Sequence, residues 1–181
     1  MAKRAVLPAV FALVAVPAAA APAYTASGEL IPPADYRDWV FLTASLDMNY
    51  QEGQGAPKTH MLDNVFVDPA SWAEFRKTGR WPDKTMFVKE NRVAAGEGSI
   101  NKAGQFQTET IVGMELHVRD DARFKGGWGF FAAGGKPAPL IPYTASCYSC
   151  HQDHGATQST FTQFYPTAKP IAQKAGNYAE R

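Results

Sequence analysis

The chain contains only two cysteines, and both lie in one short run, Cys147-Tyr148-Ser149-Cys150-His151. This is the CxxCH pattern by which haem c is attached to proteins. If the run is helical, the two thiols and the imidazole stand at i, i+3 and i+4 and project from one helix face. Two thioether bonds would then hold the porphyrin edge while the His151 imidazole binds the iron. The run therefore predicts one covalently attached haem c, around which the chain must fold.

Two other uses of the run are less favoured. A redox dithiol of the thioredoxin type opens a βαβ unit, whereas this run lies near the C-terminus. A zinc site built on the run and His154 would lack a further cysteine, so it would have to recruit His60 or His117. We therefore favour haem attachment.

The N-terminus is typical of a secretory signal peptide. Residues 1–4 (MAKR) are basic, residues 5–16 are apolar, and residues 17–23 are rich in small residues, with A-x-A sites ending at Ala21 or Ala23. The apolar stretch is short for a membrane span, and the charged flanks of an uncleaved anchor are missing. We predict that residues 1–23 are removed, that the protein is exported to the periplasm, where bacteria attach haem c, and that the cleaved chain has no membrane contact.

The remaining residues, 24–181, suit a single domain in length. Removal of Lys3 and Arg4 with the leader would leave 16 basic and 17 acidic residues. This nearly neutral balance argues against nucleic acid as a partner. Because the CxxCH run uses both cysteines, no disulfide framework is expected in the exported protein.

The pattern of the other residues predicts an α+β fold that is mainly β. A helix is expected to begin at Asp68-Pro69, a capping residue followed by a first-turn proline, and to end near Gly79. The segment 36–45 is ambiguous between helix and strand. Strands are expected at residues 60–67, 85–94, 105–118 and 128–133. The result is an antiparallel sheet with a few short helices and with the haem attached near the C-terminus.

The second axial position of the iron has no obvious protein ligand. No methionine follows the CxxCH run, and His154 lies on the same side of the helix as His151. For each upstream candidate a core or surface role is the simpler interpretation. The candidates are Met48, Met61, Met86, Met114, His60 and His117. We therefore expect five-coordinate iron that is open to a small ligand, which points to catalysis or gas binding.

Several motifs together resemble the cytochrome P-460 family. The similarity extends over roughly residues 28–167, and it implies a mostly β fold, a homodimer and a single haem c with an open coordination position. The motifs are residues 65–69 (VFVDP) with Trp72, residues 75–79 (FRKTG), residues 85–90 (TMFVKE), the late CxxCH run, and residues 161–166 (FTQFYP).

The resemblance also implies a role for Lys89. In family members that oxidise hydroxylamine, a lysine side chain is bonded to a meso carbon of the porphyrin, and Lys89 occupies the matching position. In a strand, Thr85, Phe87 and Lys89 share one face, so Lys89 would point into the haem pocket. A desolvated lysine is a competent nucleophile. The alternative from the residues alone is a solvated strand lysine next to Glu90.

Other positions bear on which member of the family the chain resembles. Asp63 is a candidate proton acceptor, with a water-facing strand position as the alternative. Ser146 stands before the first motif cysteine, where an efficient oxidase is expected to have a carboxylate, and serine is a poor general base. A relative with the same fold, cytochrome c′-beta, lacks the cross-link, has a phenylalanine cap and binds nitric oxide. Phe66 and Phe87 are the candidates for such a cap, although a core position is the simpler interpretation for each of these aromatic strand residues.

The sequence thus predicts a periplasmic haem oxidoreductase that acts on hydroxylamine or a related small nitrogen species. His151 would bind iron, Lys89 would form the cross-link, and Asp63 would accept protons. Electrons would leave to a soluble acceptor such as another cytochrome. The alternative is a nitric oxide-binding protein without turnover, and a simple electron-transfer module is the third possibility.

Overall fold

The computed structural model describes residues 21–50, 53, 55 and 57–181, and its centre is an antiparallel sheet. The strands in this part of the chain are β1 (Ala23–Tyr24), β2 (Leu30–Ile31), β3 (Val40–Leu46), β4 (Met61–Val67), β5 (Met86–Ala95), β6 (Phe106–Arg119) and β7 (Trp128–Ala133). β1 and β2 form a small separate pair, while β3 to β7 form one sheet in chain order. The predicted mainly β, antiparallel fold is therefore confirmed.

Three short helices accompany the sheet: α1 (Pro69–Thr78), α2 (Ser146–His154) and α3 (Lys169–Lys174). α1 has the predicted ends, since the Asp68 carboxylate accepts a hydrogen bond from the Ser71 N–H at 2.8 Å. Gly79 follows the helix at φ 65°, and a Cβ there would collide with the Ala175 side chain. No helix in the described part of the chain is long and apolar enough to cross a membrane.

The ambiguous segment 36–45 divides into a 3-10 turn at Tyr36–Asp38 and strand β3, which pairs with β4. α3 has no counterpart among the predicted elements. It is only six residues long, too short for a helical period to stand out. Most of the predicted signal peptide, residues 1–20, lies outside the described residues.

The two faces of the sheet bury different cores, because side chains alternate along each strand. The first face contacts β2 and the 3-10 turn, and its cluster contains Leu30, Tyr36, Trp39, Met86, Val88, Met114, Leu116, Val118, Phe124 and Phe131. The second face packs against α1 and the C-terminal residues, and its cluster contains Leu42, Val67, Phe75, Trp81, Phe87, Trp128, Tyr165, Ala168 and Ala172.

Phe66 lies on the first face and not beside Phe87. Its ring centroid is 5.7 Å from that of Tyr36 and 5.8 Å from that of Phe41. Phe66 therefore has the core position that was the simpler interpretation, and it is not part of a cap over the haem. Its neighbour Val65 faces the cavity instead. Phe87 remains on the second face.

Glu90, the chain neighbour of Lys89, is buried in a polar network on the first face. Its carboxylate accepts hydrogen bonds from Tyr36 Oη at 2.6 Å, Asn64 Nδ2 at 3.0 Å and Arg92 Nε at 2.9 Å. Burial by itself raises the pKa of Glu90, but the hydrogen bonds from Arg92, Tyr36 and Asn64 outweigh it and lower the pKa from 4.5 to about 2.

Replacing Glu90 by Gln should lower the free energy of unfolding by about 3–5 kcal/mol, because it leaves the buried Arg92 guanidinium without its counter-ion. Because the folded-state pKa is depressed, the wild-type carboxylate stabilises the fold above pH 4.5, and this contribution, about 3 kcal/mol, is lost as the pH falls towards 2. Urea unfolding at several pH values measures both effects, and the gap between wild type and Glu90→Gln should narrow on acidification. Glu74→Gln, at an exposed carboxylate of α1, is the control. A pH-independent gap would contradict this assignment.

Candidate haem-binding pocket

The second face of the sheet forms one wall of a cavity of about 850 Å³. This volume lies near the upper end of the usual range for ligand pockets. Each of the five strands contributes two alternate side chains to this wall. They are Thr43 and Ser45, Asp63 and Val65, Phe87 and Lys89, Glu115 and His117, and Phe130 and Ala132. The facing wall comes from α2 and from Phe161, Phe164 and Tyr165. The cavity is therefore lined by segments that are far apart in the sequence.

α2 brings the CxxCH run into this cavity. Cys147, Cys150 and His151 all line it, as does Ser146 at the first position of the helix. Both thiols are free. His154, by contrast, is exposed near the end of the helix. The three residues predicted to hold haem thus face a common space large enough for a flat ligand.

The His151 imidazole is held in place by a hydrogen bond from Nδ1 to the backbone. Nδ1 lies 2.8 Å from the carbonyl oxygen of Ser159, and burial lowers the pKa of the ring. A neutral imidazole that donates from Nδ1 to a carbonyl leaves Nε2 unprotonated, which is the state that binds iron. The ring packs between Phe130 and Phe161, with centroid distances of 4.6 and 4.2 Å. His151 is therefore oriented for metal binding by contacts on several sides.

His117 lines the same cavity beside His151. Its ring is buried against Trp128 and Phe130, each at a centroid distance of 4.1 Å, and burial lowers its pKa well below the ordinary value. The His117 and His151 centroids are only 4.8 Å apart at an interplanar angle of 71°. Two rings in edge-to-face contact leave no space for a porphyrin between them. In this arrangement His117 is not the sixth iron ligand.

The other candidate sixth ligands are mostly remote from the cavity. Met86 and Met114 are buried in the first-face cluster, as the strand pattern indicated. His60 bonds to Asp47 through Nδ1 at 2.5 Å and does not line the cavity, whereas Met48 does. Within the described residues, no group of three or more His, Cys, Asp or Glu side chains is placed to hold a metal ion, as the zinc alternative would require.

The Lys89 amine lies in the cavity between two carboxylates. Nζ is 3.2 Å from Glu115 Oε1 and 3.9 Å from Asp63 Oδ2. The sheet register accounts for this, because Lys89 pairs with Val65 on β4 and with Glu115 on β6. The structure therefore places Lys89 in the pocket, rather than on the surface beside Glu90.

The Asp63 carboxyl is 8% exposed and accepts a hydrogen bond from Asn91 Nδ2 at 2.6 Å. Burial raises its pKa, and the Lys89 ammonium only partly offsets this effect. The alternative that Asp63 faces water on a strand does not describe this structure. A buried carboxyl with a raised pKa is suited to receive and release a proton.

Glu115 is a site residue that the sequence analysis did not predict, although the alternation of apolar and polar residues in β6 indicated which way its side chain points. Met114, Leu116 and Val118 alternate with Glu115 and His117, so the last two must share the opposite face of β6. Alternation along one strand does not give the register between β5 and β6, and it is this register that places Glu115 beside Lys89. A carboxylate at this distance can accept the proton that the lysine must lose before it acts as a nucleophile.

These residues fit a c-type haem. The cavity is lined largely by aromatic and aliphatic side chains, two free thiols stand one helical turn apart, and one imidazole is available through Nε2. In addition, the buried Nε2 of His117 has no hydrogen-bond partner among the described residues. A buried polar atom without a partner is costly, and it is consistent with a polar group that enters with a ligand.

Comparison with known proteins agrees with this interpretation. The family model described as Cytochrome P460 matches residues 33–162, which include the central sheet, the pocket-lining strands and the CxxCH run. A search of curated proteins found no significant match. The matched span covers well over half of the chain and contains Asp63, Lys89, Cys147, Cys150 and His151. The family indicates a c-type haem protein, and the chain belongs to the cytochrome P460 family.

Proposed function

We propose that this protein is a mono-haem enzyme that oxidises hydroxylamine or a related small nitrogen compound. The observation that carries the proposal is the position of Lys89, whose amine shares one cavity with the CxxCH run and lies between Asp63 and Glu115. A purely gas-binding pocket has no need of a lysine flanked by two carboxylates.

The residues that would hold the haem are Cys147 and Cys150 through thioether bonds, His151 through Nε2, and Lys89 through its amine. When bound, the haem supplies an iron centre that binds the substrate nitrogen and accepts its electrons. The chain orients His151, excludes water with the aromatic wall, and provides groups that move protons.

In the proposed reaction, Glu115 and Asp63 each accept protons from a different group. Glu115, 3.2 Å from Lys89 Nζ, would take the proton that the ammonium must lose before the amine can act as a nucleophile. Asp63 takes protons from the substrate nitrogen as electrons are withdrawn from it. Burial favours the neutral form of Asp63, so a proton received from substrate is held until it can be passed on.

Replacing Asp63 by Asn should lower the rate of hydroxylamine oxidation by about 10²–10⁴-fold, the usual contribution of a positioned proton acceptor. Because the wild-type enzyme needs the carboxylate form and its pKa is raised, the rate should fall with decreasing pH at values above the ordinary aspartate pKa of 3.8. In Asp63→Asn this acid limb should disappear.

Steady-state rates against pH measure both effects. Asp121→Asn is the matched control, because this carboxylate pairs with Arg119 outside the cavity. Retention of the acid limb in Asp63→Asn would assign the proton transfer to another group.

A nitric oxide-binding protein without turnover is the second candidate. It is favoured by Phe87, a buried aromatic ring that lines the cavity. In that case the haem would lack the lysine bond and would bind nitric oxide without oxidising hydroxylamine.

The proposal also includes the setting of the reaction. The basic and apolar N-terminus supports export to the periplasm, and the nearly neutral charge supports a protein or small-molecule partner rather than nucleic acid. Electrons would pass to a soluble acceptor such as another cytochrome. A homodimer is the expected assembly from the family resemblance.

A further inference from the structure

The turn after α2 contains two consecutive non-glycine residues with left-handed backbone conformation. Gln158 has φ 49° and Ser159 has φ 59°. Residues with side chains adopt this conformation rarely, and it persists only where the surroundings hold it. The Ser159 carbonyl is the group that meets His151 Nδ1 at 2.8 Å. The unusual turn thus presents the hydrogen-bond acceptor for the proposed iron ligand.

Gln158 fastens this turn to Trp81. The Trp81 N–H donates to Gln158 Oε1 at 2.6 Å, and Gln158 Nε2 donates to the Trp81 carbonyl at 3.3 Å. We call this pair of hydrogen bonds the Gln158–Trp81 clasp. Trp81 is a firm anchor, because it is 1% exposed and its Nε1 donates to Thr160 Oγ1 at 3.0 Å. The Thr160 hydroxyl in turn donates to the Thr157 carbonyl at 2.7 Å, which ties the two ends of the turn together.

The turn is also pressed against the end of α2. A Cβ added at Gly155 would lie 2.6 Å from the Ser159 carbonyl carbon and 2.5 Å from the His151 carbonyl oxygen. The backbone of Ser159 therefore has little room to move toward the helix, and the Gln158–Trp81 clasp limits its movement in the other direction.

We infer that Gln158 is a positioning residue for His151, which acts by holding the Ser159 carbonyl against Nδ1–H. This inference rests on the proposed attachment of haem through His151. When the ring nitrogen that does not bind the metal donates a hydrogen bond, the tautomer of the imidazole is fixed and its basicity as a ligand rises. A more basic ligand stabilises ferric iron relative to ferrous iron, so the clasp lowers the reduction potential of the haem.

Gln158→Asn tests the inference in the haem-loaded protein. Asparagine tolerates the left-handed conformation and keeps the amide, but it is one methylene too short to bridge to Trp81. We expect the ratio of ferrous to ferric haem at a given potential to rise about tenfold, which corresponds to a rise of about 59 mV in the reduction potential. The iron–histidine stretching frequency of the reduced protein should fall as well. A redox titration and resonance Raman spectroscopy measure these two quantities.

Gln163→Asn is the matched control. Gln163 also makes two hydrogen bonds to backbone at the end of α2, accepting from the Ala156 N–H at 3.2 Å and donating to the His154 carbonyl at 2.7 Å. It makes no hydrogen bond to Ser159, so this variant should keep the wild-type potential even if it loses some stability. Gln158→Met keeps the length of the side chain, removes both hydrogen bonds, and should repeat the shift of Gln158→Asn.

Wild-type potentials and stretching frequencies in both Gln158 variants would overturn the inference and leave the haem attachment intact. Loss of haem from both, with Gln163→Asn fully loaded, would make the clasp a folding element and would overturn it as well. Wild-type protein that carries no covalent haem would instead remove the proposed function on which the inference rests.

Discussion

Replacing Cys147 and Cys150 together by alanine, in a Lys89→Arg background that also removes the proposed lysine bond, should yield a chain that carries no covalently bound haem. The two thiols line the cavity one helical turn apart on α2, and the full sequence holds no other cysteine that could form a thioether bond. Haem-dependent peroxidase staining on a denaturing gel and the intact mass measure the effect, because only a covalent cofactor survives unfolding. We expect loss of essentially all of the staining and of the haem mass.

The matched control is Ser149→Ala, which lies between the two cysteines on the exposed side of the same helix. Its hydroxyl donates to the Ser146 carbonyl within the first turn, so the variant should be loaded as fully as the wild type. Haem that resists denaturation when both cysteines and Lys89 are replaced would show that the attachment is made elsewhere.

Replacing Lys89 by Arg should abolish hydroxylamine oxidation and return the absorption spectrum of an ordinary c-type haem. Arginine keeps the positive charge between Asp63 and Glu115, but its guanidinium stays protonated and cannot attack a porphyrin carbon. In the wild type we expect a strongly red-shifted and broadened Soret band in the reduced protein, as a porphyrin modified by the lysine bond would give. The reduced spectrum and the turnover rate with an artificial electron acceptor are the two measurements.

Lys84→Arg is the control for this experiment. Lys84 lies in the turn before β5 and pairs with Asp83 and Asp120, outside the cavity. It should keep both the red-shifted band and the activity. If the wild type already shows an unmodified five-coordinate spectrum, and Lys89→Arg leaves both the spectrum and nitric oxide binding unchanged, then the binding protein replaces the enzyme as the function.

The elements that follow from local chemistry could be predicted closely. The helix at 69–78 follows from Asp68 and Pro69 at its start and Gly79 at its end, and the residues of β7 were predicted without error. Position along the chain also indicated that Lys89 and Phe87 share a face, because strand alternation is a local property.

What could not be predicted depends on pairing between distant segments. The position of Glu115 beside Lys89 follows from the β5–β6 register. The separation of Phe66 from Phe87 follows from the β4–β5 register, which pairs Phe66 with Val88. The turn at Gln158 and Ser159 has a left-handed backbone without a glycine that would indicate it in the sequence. The turn is held by Trp81, which lies 77 residues before Gln158. Such features are set by tertiary contacts and not by the residues of the turn itself.

The most direct test of the haem-binding site is the intact mass of the purified wild-type protein together with its reduced absorption spectrum. Covalent haem bound through Cys147, Cys150 and His151, with the second axial position open, predicts a mass that includes one haem and a five-coordinate reduced spectrum that changes when nitric oxide is added. A colourless protein with the mass of the bare chain, or a six-coordinate low-spin spectrum produced by a second side-chain ligand, would contradict it.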